Sequence, residues 1–150
     1  MDAEVYPDER VASFVTKNFV PVRIHVKEQP RNFERFGAQW TPTIMILDPD
    51  GAQRHKIEGF LPADEFLAQL ELGLAHAAFA HNDFADAEQR FGMVAARDDA
   101  EVAAEAIYWS GVSRYKRTND PSALVETNQK LSSRFPESSW AKKASVWQPK

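Results

Sequence analysis

A chain of 150 residues with 43% hydrophobic content can close one modest core or two small ones, and its longest apolar runs fall far short of the roughly 18 residues of a membrane span. A formal net charge of -4 argues against a general nucleic-acid binder, which carries a basic stripe. The absence of cysteine excludes disulfides, thiol catalysis and thiolate metal sites in this chain.

Val11, Phe14 and Val15 recur at helical spacing behind Asp8, and Asn18 is a stop, which predicts a short amphipathic helix. Phe19 to Val26 sets Val20, Val22, Ile24 and Val26 against Pro21, Arg23 and His25, the period of a strand with Pro21 near its start or at an edge. Phe33, Phe36 and the closing Gly37 predict a second short helix over Gln29 to Gly37. Thr43 to Leu47 is a nearly unbroken apolar run, expected where both faces of a strand are covered. Asp48-Pro49-Asp50-Gly51 is a strong turn, and Gln53 to Glu58 returns as an antiparallel strand.

From Leu61 the period becomes helical. Pro62 suits a first turn, and Phe66, Leu67, Leu70, Leu74, Ala77 and Ala78 form a stripe running to about Ala80. Asn82-Asp83 caps a helix with Phe84, Ala87, Phe91 and Val94, and Asp98-Asp99 opens another with Val102, Ala106, Ile107, Trp109 and Tyr115. Asn119-Asp120-Pro121 starts a further helix that ends at Phe135-Pro136. Ser138-Ser139 caps a last short one through Trp140, Ala144 and Trp147.

Ala75, Phe79, Ala87 and Phe91 fall beside Gly111, Tyr115, Ala123 and Thr127 at one constant offset, with small residues opposite small ones and aromatics opposite aromatics; only Thr127 breaks the pattern. This resembles tetratricopeptide repeats, whose period is about 34 residues. Tyr108-Trp109-Ser110-Gly111 with Phe135-Pro136-Glu137-Ser138 also resembles the repeats of bacterial cell-envelope assembly proteins.

Trp40-Thr41-Pro42-Thr43, the run Ile44-Met45-Ile46-Leu47 and the turn after it together resemble the cis-proline segment of the thioredoxin superfamily. Phe19 to Val26 upstream and Ile57-Glu58-Gly59-Phe60-Leu61-Pro62 downstream stand where that family places its neighbouring elements. The resemblance covers about residues 1–75 and implies a thioredoxin-like domain over 1–80 lacking its first strand and redox Cys-x-x-Cys. A tetratricopeptide-like helical region over 73–150, with repeats within 73–147, shares the linking helix. The expected fold class is therefore α/β (α+β), a truncated thioredoxin-like fold followed by an all-α array of helical hairpins.

The resemblance implies that backbone beside the proline pairs with extended substrate as an added strand, which needs no thiol. Trp40, Thr41, Pro42 and Thr43 are accordingly the candidate peptide-binding residues. Trp40 departs from the small or polar residue usual in the family, and filling the space of the absent active-site loop is favoured over offering a stacking surface. Tyr108, Trp109, Tyr115 and Trp140 are weaker partner-binding candidates, because aromatics at helical spacing are more often core. His25, His55, His76 and His81 lack metal-ligand spacing and are expected at the surface or in caps. Asp48 and Asp50 are assigned to the turn rather than to a cation. Ser13 and Ser110 show no base, and no catalytic residue, metal or cofactor is expected. Past Ser110 the charges turn basic, through Arg114, Lys116, Arg117, Lys130, Arg134, Lys142, Lys143 and Lys150, which suits an acidic partner or a solvated face.

The family orders its sheet with the first strand between the second and third, and nothing before Met1 supplies it. Such a gap would leave two rows of backbone groups unpaired, at about 1–3 kcal/mol each. A longer natural protein, a strand from a second chain, or a rearranged sheet with dimerisation through the exposed strand would each resolve it. For the chain as given, the expected function is a non-catalytic scaffold that binds peptide or protein. The alternative is a fragment of a thiol-disulfide oxidoreductase with its cysteines upstream. The acidic first residues are unlike a signal peptide, so a soluble chain is expected, cytoplasmic unless a leader on a longer precursor sends it to the periplasm.

Overall fold

Helix bounds follow the side chains that cap them. The computed structural model describes residues 1–149, and its first helix, α1 (Glu9–Asn18), starts where the Asp8 carboxylate accepts from Arg10 N–H at 2.9 Å. Met1 to Pro7 is not part of it; this stretch turns, with Val5 and Tyr6 N–H both donating to Met1 O. Val5 is buried there, and Tyr6 meets Phe66 edge to face at 6.1 Å. The short helix α2 (Pro30–Arg35) begins with its proline at N1 and is followed by Gly37 at φ 61.

Phe19 to Val26 is not a strand. Its alternation supplies two faces but not a neighbour, and a strand exists only where another backbone answers its donors and acceptors. The segment lies open, with Val20 91% and Val22 78% exposed, so its backbone meets water and no buried, unpaired row arises. The sheet is accordingly a single hairpin, β1 (Thr43–Leu47) and β2 (Gln53–Glu58), joined through a turn closed by Gly51 N–H donating to Asp48 O at 2.8 Å. Gly51 takes φ 86, a conformation that penalises any side chain. The expectation of cover on both faces also fails: Ile46 is the one buried residue of β1, and Leu47 faces outward.

Five helices complete the chain: α3 (Ala63–Ala80), α4 (Phe84–Ala95), α5 (Ala100–Thr118), α6 (Ser122–Arg134) and α7 (Ser139–Ala144), with a 3-10 turn at Ser145–Trp147. Asp83, Asp99 and Ser138 cap α4, α5 and α7 through their side chains, and Asn119 ends α5 in the left-handed region at φ 56. The chain divides into two compact units, residues 1–45 with 56–67, and residues 46–55 with 68–150.

The larger unit holds the main core, where Leu72 and Ala75 of α3 meet Ala87, Phe91 and Val94 of α4 and Val102 and Ala106 of α5. A second cluster joins Ala104 and Ile107 to Leu131, Ala141 and Ala144. The hairpin tip seats on α3 at Gly73, where an added Cβ would stand 2.0 Å from Ile46 Cδ1 and 3.2 Å from His55 Cβ. A glycine in mid-helix costs about 1 kcal/mol against alanine, and here it admits the tip.

Asp48 does more than form the turn. Its carboxylate is buried and accepts from the Arg54 guanidinium, and His81 Nε2 at the end of α3 lies 3.1 Å from it. Burial pushes this carboxyl up, but the Arg54 and His81 hydrogen bonds outweigh it and hold it below the usual range. Its contribution is complete above the ordinary aspartate value and is lost as pH falls through the lowered one. Asp48→Ala is expected to lose about 1–2 kcal/mol in urea unfolding at pH 7, the low end for charged hydrogen bonds because both partners can turn to solvent.

Candidate functional site

Thr43 opens β1, and its hydroxyl donates to Trp40 O at 2.6 Å, closing a bend over Trp40 to Thr43. Within that bend the Thr41–Pro42 peptide bond is cis. Pro42 O accepts from Gly59 N–H at 2.8 Å, which carries the pairing of the two strands to the open end of the hairpin. Gly59 has φ 86 and swings the chain away into Phe60.

Two aromatics flank this end. Trp40 is 67% exposed and Phe60 53% exposed. Trp40 therefore does not fill a void, contrary to the sequence expectation: it sits in a bend outside the ladder, where no element among the described residues covers it. Phe60 was not singled out in the sequence, although Gly59 beside it was a legible signal that the chain turns there. With only two strands in the sheet, each strand keeps one edge of backbone donors and acceptors without a strand partner among the described residues. The corner thus combines apolar rings with an open strand edge, and the carboxylate at its end, Glu58, is paired with Lys56.

Residues 1–74 match the family model for a thioredoxin-like domain. The thioredoxin-like match includes the cis-proline corner and the whole hairpin and ends within α3. No curated protein and no solved structure matches the chain. The matched segment contains no cysteine.

The other candidates lie in the larger unit. Trp109 stands among His76, Phe79, Phe91 and Tyr108, with its indole Nε1 buried and without an acceptor among the described residues. Tyr108 packs on Trp140 at 5.2 Å and stacks on Trp147 at 4.8 Å, and Tyr115 is half-buried on α5. All four candidate rings are half-buried. Ser110 donates to Glu88 O and Ser13 is exposed.

The basic run is largely answered within the chain. Arg114 pairs with Glu126 and Arg117 with Glu88, Arg134 donates to Ala95 O, and Lys116 and Lys143 lie over the rings of Phe84 and Trp140.

The histidines depart most from expectation. His25 and His81 are exposed, but His55 of β2 and His76 of α3 are half-buried and stack at 5.9 Å. His55 Nε2 donates to Gln69 Oε1 at 2.6 Å, and His76 Nε2 to Glu105 Oε1 at 3.0 Å. Burial holds the His55 imidazole below its ordinary value, partly offset by the bond to Gln69. No sequence spacing reveals the pair, because the tip's seat on α3 makes it; Gly73 was the only local hint. Among the described residues no three His, Asp or Glu side chains converge as a metal site would need.

Proposed function

We propose that this chain is a non-catalytic thioredoxin-like scaffold joined to a helical protein-interaction region, and that it binds an extended segment of a partner protein at Trp40, Thr41, Pro42 and Thr43. The observation that carries the reading is the pair of exposed rings, Trp40 and Phe60, beside the first residue of a strand whose outer edge has no strand partner among the described residues. Strand addition supplies main-chain hydrogen bonds, and aromatics at the rim supply the apolar anchor.

The tetratricopeptide-like reading of the second half is supported by the way Gly111 meets Thr127 across α5 and α6. An added Cβ at Gly111 would lie 1.8 Å from Thr127 Oγ1. Glycine lets these helices approach so closely that a phenylalanine at 127 has no room, which accounts for the one break in the repeat.

A display library of unstructured 12-residue peptides, selected on the intact chain, tests the site. Bound peptides should move the backbone amide resonances of residues 40–47, and Trp40→Ala and Phe60→Ala should each weaken binding by about tenfold or more without changing urea unfolding. Selected peptides that map to α5 and α6, or that bind both variants as tightly, would place recognition elsewhere. Sedimentation of the peptide-free chain distinguishes a homodimer, the competing occupant of the open edge.

A second reading is a fragment of a thiol-disulfide oxidoreductase whose Cys-x-x-Cys lies upstream. Insulin disulfide reduction by a longer product of the same reading frame would support it, since the cysteine-free chain has no thiol to turn over.

A further inference from the structure

We infer that His55 and His76 form an acid-operated latch that holds the hairpin tip, Ile46 to His55, on α3. The tip is seated at three places within one compact unit: Ile46 over Gly73, Asp48 on His81, and His55 stacked on His76. Only the last contact sets two titratable rings against each other, at 5.9 Å and an interplanar angle of 19°.

Each ring makes one hydrogen bond, and His76 also meets Phe91 and Trp109 in edge-type ring contacts. Acidification puts positive charge on His55, which burial and the His76 ring both disfavour. Glu105 of α5 offsets one charge, on His76. No carboxylate bonds to His55, whose partner Gln69 is neutral.

The remaining charged groups nearby are engaged with one another. Glu71 of α3 holds Arg90 of α4, which also holds Asp86, and Arg54 and Lys56 of β2 hold Asp48 and Glu58. A charge on His55 therefore meets the His76 ring in a half-buried site where the attraction of Glu105 only partly offsets burial, and separation of the rings relieves it. Burial already disfavours the charged form of His55, which works in the same direction: the unfolded or opened state takes up more protons, so the closed tip loses stability as pH falls. His81, at the same tip, lies 3.1 Å from the Asp48 carboxylate and is a separate tie between the tip and the end of α3.

Amide hydrogen exchange of the intact chain, normalised for intrinsic rates, provides the test. Protection of the tip amides is expected to fall at least tenfold between pH 7.5 and pH 5.5, while α6 changes less than twofold. His55→Gln should cut the fall to under twofold. Tip protection that stays within twofold in the natural chain, or a fall that persists in His55→Gln, would overturn the latch. Should His55→Gln fail to fold, imidazole titration by NMR in the natural chain decides: tip resonances that shift together with both rings support it, and two rings titrating independently with a motionless tip refute it.

Discussion

Gly111→Ala is expected to destabilise the chain by about 3 kcal/mol, at or above the usual range for overpacking. The added methyl would meet the whole Thr127 side chain, with Oγ1, Cβ and Cγ2 at 1.8, 2.7 and 2.8 Å. Rotation cannot clear it cheaply, because Thr127 Oγ1 donates to Ala123 O at 2.6 Å in a buried site. Alanine's better helix propensity returns about 1 kcal/mol at most, so the clash decides the sign. Urea unfolding measures the effect, and Thr127→Ala in the same chain should recover part of it by removing two of the three atoms. A neutral Gly111→Ala would mean that α5 and α6 do not approach as described, and the tetratricopeptide-like reading would lose its support.

Phe91→Ala should cost more, about 3–5 kcal/mol, as for other large aromatic residues deleted from a closed core. Phe91 is fully buried and joins the helices of the larger unit, with its ring 5.0 Å from His76 and 6.5 Å from Trp109. Beside it stand Ala75, Ala87 and Ala106, side chains too short to collapse into the space left behind. Phe91→Leu keeps most of the volume and should cost only about 1–1.5 kcal/mol. Near-UV circular dichroism of the variant should show the Trp109 environment loosened. A loss below about 1 kcal/mol for the alanine variant would show that this core is not closed around Phe91.

Both predictions concern residues that were visible in the sequence as members of an offset pattern, yet their contacts were not. Ala75, Ala87 and Phe91 were readable as one buried set because helical spacing puts them on facing stripes. The Thr127 exception was equally visible but had no explanation until Gly111 was found against it. At the cis-proline corner the sequence pointed to Trp40, Thr41, Pro42 and Thr43 by resemblance, and it misjudged Trp40 as filler. Phe60 joined the site only through the hydrogen bond between Gly59 and Pro42.

What the sequence by itself determined are features whose physics is local. Asp8, Asp83, Asp99 and Ser138 cap helices because a side-chain oxygen reaches a backbone N–H two or three residues on, and Asp48 to Gly51 turns because glycine accepts a positive φ. A helix closes its hydrogen bonds four residues away, within the same stretch of sequence. Only tertiary structure decided that Phe19 to Val26 is no strand, that Trp40 faces water, and that His55 meets His76 across a seat made by Gly73. A ladder, a burial or a ring stack depends on a partner distant in the chain, and the periodicity of one segment carries no information about whether that partner arrives.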